Sequence, residues 1–260
     1  MRIATWNVNS LNVRLPRVEE WLAYAAPDVL CMQETKLADE AFPTMAFAAA
    51  GYEVAFCGEG RWNGVAIASR VGISDVVAGF SPLPEEGPTE ARLVSATCGG
   101  VRVASLYVPN GRSLDSEHYQ RKLQWLARIR HWVEARHTPS EPLALCGDFN
   151  IAPDDRDVYE PAKFVGATHV SAPEREALGE LLAWGLADSF RLLYDEPGLF
   201  TWWDYRAGDF HQGRGLRIDL LLMSEPLAKG VTWGLVDRNA RKGKSPSDHA
   251  PVLIDLDWGV

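Results

Sequence analysis

The chain has 260 residues, 47% of them hydrophobic and 23% charged, with a formal net charge of −9 and a pI near 5.2. These proportions are ordinary for a globular protein with a large core, and no apolar run approaches the roughly 18 residues that span a bilayer. The negative balance counts against nucleic-acid binding, which leaves a basic footprint. A carboxylate metal site adds negative charge of its own, however, and local basic clusters act within about 8 Å whatever the global charge.

The opening MRIATWNVNS has no basic segment followed by an apolar one, so no signal peptide is expected. The run Ile3–Trp6 predicts a first strand with Asn7 at its tip. Leu15, Val18, Leu22 and Ala25, spaced three, four and three, predict a helix. Val29–Met32 predicts a second strand, ending in Glu34 and Lys36. Val54–Phe56, Val65–Ser69, Leu93–Thr97 and Val101–Val108 predict further strands, with a turn cluster at Ser81–Pro88.

Tyr119, Leu123, Leu126, Ile129, Trp132 and Val133 mark a long amphipathic helix, on which Arg121 and Lys122 read as solvated charges. Leu143–Cys146 predicts a strand running into GDFN. Asp148 and Asn150 share a side there if the strand continues. Ser171 and Glu174 resemble a capping box before a helix containing Ala177, Leu178, Leu181 and Leu182. Phe200–Trp203, Ile218–Met223, Val231–Leu235 and Pro251–Leu256 predict the remaining strands, with a second turn cluster at Asp204–Gly215. About a dozen strands and a few helices suit an α/β class of fold, two packed sheets with helices outside. No linker divides the chain, so one domain over 1–260 is expected. Cys31, Cys57, Cys98 and Cys146 lack metal-site spacing and read as buried, reduced thiols of a cytoplasmic protein.

Several strands end in acids, amides or a histidine where turn residues are the ordinary choice: Asn7, Glu34, Asp148, Asn150 and the adjacent Asp248 and His249. Singly, each is more often structural, a turn former or a backbone-satisfying amide. Asp219 is the exception, because a carboxylate inside an apolar run is costly without a partner, here a histidine or an amide. Together, carboxylates and amides make a hard oxygen donor set suited to Mg²⁺ or Mn²⁺ and not to zinc. One histidine beside them supplies an acid/base or a cationic partner for phosphate, as metal-assisted phosphodiester hydrolysis requires. The dinucleotide and phosphate-loop fingerprints are absent.

TWNVNSL, MQETK, NGVAIASR, YVPNG, GDFNIAP, WWDYR, LRIDLLL and SDHAPV, in this order, resemble the exonuclease III and abasic-site endonuclease branch of the endonuclease/exonuclease/phosphatase superfamily, from Arg2 to about Leu256. The resemblance implies a four-layer, deoxyribonuclease I-like α/β sandwich and one or two Mg²⁺ or Mn²⁺ ions. It implies a metal set drawn from Asn7, Glu34, Asp148, Asn150, Asp248 and His249, with Glu34 the principal ligand and Asp248 serving a second or displaced ion. It makes Asp148 the residue that activates or positions water, and Asn150 the one that orients the water or stabilises the developing phosphorane-like charge. Tyr107 then reaches the scissile phosphate or leaving group, Asn110 contacts phosphate, and Asp219 orients a phosphate-binding His249.

Phe200–Asp219 discriminates among substrates. By resemblance, Trp202, Leu216 and Ile218 line a pocket for an extruded base-less sugar, while Trp203 reads as core. A DNA track is expected from Arg61, Asn63, Arg112, Arg121, Lys122, Arg206, Arg214, Arg217, Arg238, Arg241, Lys242 and Lys244, each weighed against plain surface charge, which is the better reading for Arg121 and Lys122. Arg156–Val170 departs from the pattern in carrying few basic residues. The expected substrate is double-stranded DNA with abasic sites or blocked or recessed 3′ ends, cut by a monomer to leave 3′-hydroxyl and 5′-phosphate ends. The alternatives are a small-molecule or lipid phosphodiesterase on the same core, and a non-catalytic DNA-binding protein.

Overall fold

The computed structural model describes residues 1–84 and 90–259. Residues 85–88 of the predicted Ser81–Pro88 turn lie outside that range. Runs rich in Val, Ile and Leu supply the strands β1 (Arg2–Asn7), β2 (Val29–Gln33), β3 (Glu53–Cys57), β4 (Val65–Ser69), β5 (Ser74–Ala78) and β6 (Leu93–Cys98). They continue as β7 (Val101–Tyr107), β8 (Leu143–Asp148), β9 (Leu186–Asp188), β10 (Asp219–Ser224), β11 (Val231–Val236) and β12 (Val252–Leu256). The longer helices are α1 (Leu11–Ala25), α2 (Thr44–Ala49), α3 (Glu117–Arg136) and α4 (Ala172–Trp184).

One six-stranded sheet has the order β11-β12-β1-β2-β4-β3 and the other β5-β6-β7-β8-β10-β9. Ile3, Cys31 and Ile67 of the first pack between the sheets against Val103, Cys146 and Leu221 of the second. Trp6, Val18, Trp21 and Leu30 join α1 to the first sheet's outer face, and Leu126, Ile129, Leu145 and Leu178 join α3 and α4 to the second's. The four-layer sandwich expected from the sequence is therefore the fold observed. Each sheet contains one parallel pair, β1 with β2 and β7 with β8, and its other pairs are antiparallel. The helices α1 and α3 make the two crossovers that parallel pairing requires.

The capping box forms at α4, where the Ser171 N–H donates to the Glu174 carboxylate at 3.1 Å. Phe200–Trp203 is not a strand. Trp202 makes only single bridges to Leu216 and His249, and the Thr201 hydroxyl accepts the N–H groups of Ile218 and Asp219, each at 3.1 Å. The edge strands β5 and β9 and the short α2 were not expected, and α1 starts a turn earlier than its apolar spacing, with Pro16 inside it.

Candidate active site

The carboxyl ends of both parallel pairs open on one crevice, where an α/β sheet most readily places a site. Asn7 ends β1, Glu34 follows β2, Tyr107 ends β7 and Asp148 ends β8. Beneath them Gln33 of one sheet donates to the Ser105 hydroxyl of the other at 3.1 Å, and Ser105 donates to the Met32 carbonyl at 3.0 Å. These bonds tie the two ends together. The fully buried Asn7 then bridges the acids, its amide nitrogen donating to Glu34 at 2.8 Å and Asp148 at 2.9 Å. Glu34 adopts a left-handed backbone (φ 51), held by N–H bonds from Thr35 and Lys36 to the Asn63–Gly64 turn. Only glycine fits at position 64: its φ is +90, and a Cβ would lie 2.1 Å from the Thr35 hydroxyl.

His249 hangs between two strands of the second sheet. Asp148 and Asp219 are register partners in β8 and β10, and His249 Nδ1 lies 2.8 Å from Asp219 while Nε2 lies 3.7 Å from Asp148. Burial alone would lower the imidazole pKa, but the charges of Asp219 and Asp148 raise it to about 10. Burial pushes the Asp148 carboxyl up to about 7, opposed by His249 and helped by Asp219. Burial, then the charges of Glu34 and Asp148, keeps the Tyr107 phenol protonated well above its usual range. One ligand atom each from Glu34, Asp148 and His249 lies within 4.8 Å of the others. The two carboxylates suit a hard divalent cation. An imidazole offers a metal its lone pair only when neutral, and donates to a phosphate when protonated.

The pattern of the endonuclease/exonuclease/phosphatase family matches residues 4–249. The chain belongs to that family. It is 33% identical to exodeoxyribonuclease III of Haemophilus influenzae over 98% of this chain and 100% of the relative. Among solved structures, it resembles the 3′ phosphatase NExo from Neisseria bound to a product DNA hairpin (TM-score 0.94, 43% identity, 99% of this chain and 100% of that one). An AP endonuclease from Archaeoglobus fulgidus is similar at TM-score 0.96 and 38% identity, with 99% and 100% coverage.

Other residues singled out in the sequence divide into those the family fold brings to this crevice and those it does not. Asn150 lies past the end of β8 with φ 50, so the strand does not continue through it. Its N–H donates to Asp148 at 2.9 Å and its side-chain oxygen accepts from Asn110 at 3.2 Å. Asp248 stands beside the three-ligand cluster, accepting from Asn9 at 2.9 Å and Trp202 Nε1 at 3.0 Å. Trp202, Leu216 and Ile218 share one apolar cluster with Ala152 and Val158. Trp203 is core, as expected. Asn63 turns its side chain onto Glu59.

Three members of the expected basic surface are not on it. Arg217 is 1% exposed and pairs with Asp157 at 2.6 Å and Asp188 at 2.7 Å, on the opposite face from Leu216 and Ile218. Arg241 is buried and donates to the Ser247 carbonyl and to the Trp203 carbonyl, fixing the approach to His249. Lys122 is fully buried and paired with Glu174. Arg61, Arg112, Arg238, Lys242 and Lys244 are exposed, while Arg206 and Arg214 pair with Asp204 and Asp209.

Two site residues went unrecognised in the sequence. Asn9 joins Asp248 to Lys36, accepting from Lys36 Nζ at 2.6 Å, and Lys36 in turn lies 2.8 Å from Glu34. His169 Nε2 lies 3.0 Å from the Asn150 side-chain oxygen and 3.2 Å from the Asn110 amide nitrogen; burial and then Lys122 lower its pKa to about 4, which leaves the ring neutral. Asn9 follows Asn7 in TWNVN and carried a weak signal as a second amide past a strand end. His169, in a loop, carried none.

Proposed function

We propose that the protein is a Mg²⁺- or Mn²⁺-dependent DNA-repair phosphodiesterase that incises beside abasic sites and removes nucleotides or blocking groups from 3′ ends. The observation that carries this reading is the convergence of Glu34, Asp148 and His249, drawn from both sheets, on one crevice. The relatives named for exonuclease, 3′-phosphatase and AP endonuclease activity support DNA as the substrate.

Glu34 and Asp148 would hold the cation, which supplies positive charge to a non-bridging phosphate oxygen. Asp148 accepts the Asn150 N–H at 2.9 Å, which aligns the two residues, and its carboxylate is placed to take a proton from water. His249, kept cationic by Asp219, meets the charge that develops on phosphate. Tyr107, still a phenol, donates toward the phosphate or the departing oxygen. Water attacks phosphorus as the 3′-oxygen leaves, giving a 3′-hydroxyl and a 5′-phosphate. Trp202, Leu216 and Ile218 form the apolar wall for a base-less sugar. Exposed Lys242 and Lys244 are read as phosphate contacts. Four free thiols support a cytoplasmic setting, and gel filtration tests the expected monomer. Among the described residues no helix is long and apolar enough to cross a membrane.

A second reading, in which 3′-end processing outweighs abasic-site incision, is favoured by the likeness to the Neisseria 3′ phosphatase, at 43% identity over 99% of this chain. One assay tests both readings: duplexes carrying an abasic site, a 3′-phosphate or a recessed 3′ end, with and without Mg²⁺, and a phosphoinositide as control. Metal-dependent cleavage of DNA is expected, and the ratio of rates separates the two readings. Preference for the lipid would overturn both.

A further inference from the structure

The buried pair of Lys122 and Glu174 lies directly beneath the amides of the site. Lys122 projects from α3, and its ammonium has three donors. One goes to the Asn150 carbonyl at 2.7 Å, one to the Asn110 carbonyl at 3.3 Å and one to the Glu174 carboxylate. These acceptors belong to three separate segments: the chain after β8, the chain after β7 and the start of α4. Glu174 spends its remaining capacity on the N–H groups of His169, at 3.0 Å, and Ser171, at 3.1 Å, and on the Ser171 hydroxyl, at 2.5 Å. Gly111, at φ +90, makes room for the lysine stem, since a Cβ there would meet Lys122 Cδ at 3.1 Å. A buried ion pair is seldom the most stabilising filling for such a space, and apolar residues of equal volume commonly do as well or better. What the pair adds is geometry. It sets the left-handed backbone of Asn150 and draws Asn110 and His169 onto the Asn150 side chain.

We infer that Lys122 and Glu174 are positioning residues, a clamp that fixes Asn110 and Asn150 for phosphodiester hydrolysis. The inference rests on the function proposed above. With neither side chain exposed, the clamp acts through the amides and never through DNA. The test is steady-state cleavage by Lys122→Met/Glu174→Gln, which removes the pair together and leaves no unpartnered charge. The expected result is a folded protein whose kcat falls about 100-fold, as for a displacement of about 1 Å at a reacting group. KM should be unchanged, as should the slope of log affinity against log salt. A lysine touching phosphate would instead flatten that slope by about one. If the double variant does not fold, Lys122→Arg keeps the charge but places its donors differently. It should lower kcat about tenfold in the wild-type background and not at all beside Asn110→Ala/Asn150→Ala, because residues acting through the same two amides are not additive. Unchanged kcat in a folded Lys122→Met/Glu174→Gln protein, a flattened salt slope, or additive losses would overturn the clamp alone. A wild type that leaves DNA intact would overturn the function and the clamp with it.

Discussion

Asp148 and Asp219 sit opposite one another across β8 and β10, and His249 places one ring nitrogen toward each. Two strand ends of one sheet thus build an acid–imidazole–acid row, and the first sheet adds Glu34 through Asn7.

Asp219 should make stability pH-dependent in a definite direction. A histidine whose folded pKa is raised to about 10 stabilises fully below its unfolded value near 6.5, and that contribution is lost as pH rises between the two. In chelator, Asp219→Asn should therefore lower the melting temperature by several degrees at pH 6 and by much less at pH 10. A deficit that grows with pH would contradict the pairing.

Asp148→Asn keeps the shape of the site and removes the proton acceptor. Cleavage should fall by at least about 10³-fold while DNA affinity stays within a fewfold. Full activity in this variant would mean that another group activates water.

Glu34→Gln should raise the Mg²⁺ concentration for half-maximal cleavage at least about tenfold, the scale on which metal sites respond to lost partners. Asn7→Ala leaves the acids in place without their bridge and should do the same more weakly. A metal titration curve that does not move in Glu34→Gln would remove this residue from the cation site.

Arg217 and Lys244 separate burial from binding. Arg217→Met strands Asp188 and should cost about 3–5 kcal/mol of stability without changing the salt dependence of DNA binding. Lys244→Ala should leave the melting temperature alone and flatten the salt slope by about one. The opposite pattern in calorimetry and binding would exchange their roles.

The strands and the strand-end acids were legible because a buried sheet requires β-branched runs and because a carboxylate at the end of one is conspicuous. Asp219 announced its need for a partner, although the sequence could not choose between a histidine and an amide. What escaped depended on faces that one dimension does not display. Leu216 and Ile218 imply by alternation that Arg217 points the other way, but not that the other side is closed by Asp157, Asp188 and Arg191. Lys122 could have been found: Tyr119, Lys122, Leu126, Ile129 and Val133 follow one helical stripe, and all are buried. Reading the lysine as solvated broke a regular pattern. The β5 strand escaped because most of its residues are exposed, and β9 because three residues carry little periodicity.

Locating a bound cation is the most direct check that acids from both sheets form a single metal centre. Crystals soaked in Mn²⁺ and measured at the manganese edge should show an anomalous peak in direct coordination with Glu34 and Asp148, beside His249. A peak elsewhere, or none at millimolar Mn²⁺, would contradict it.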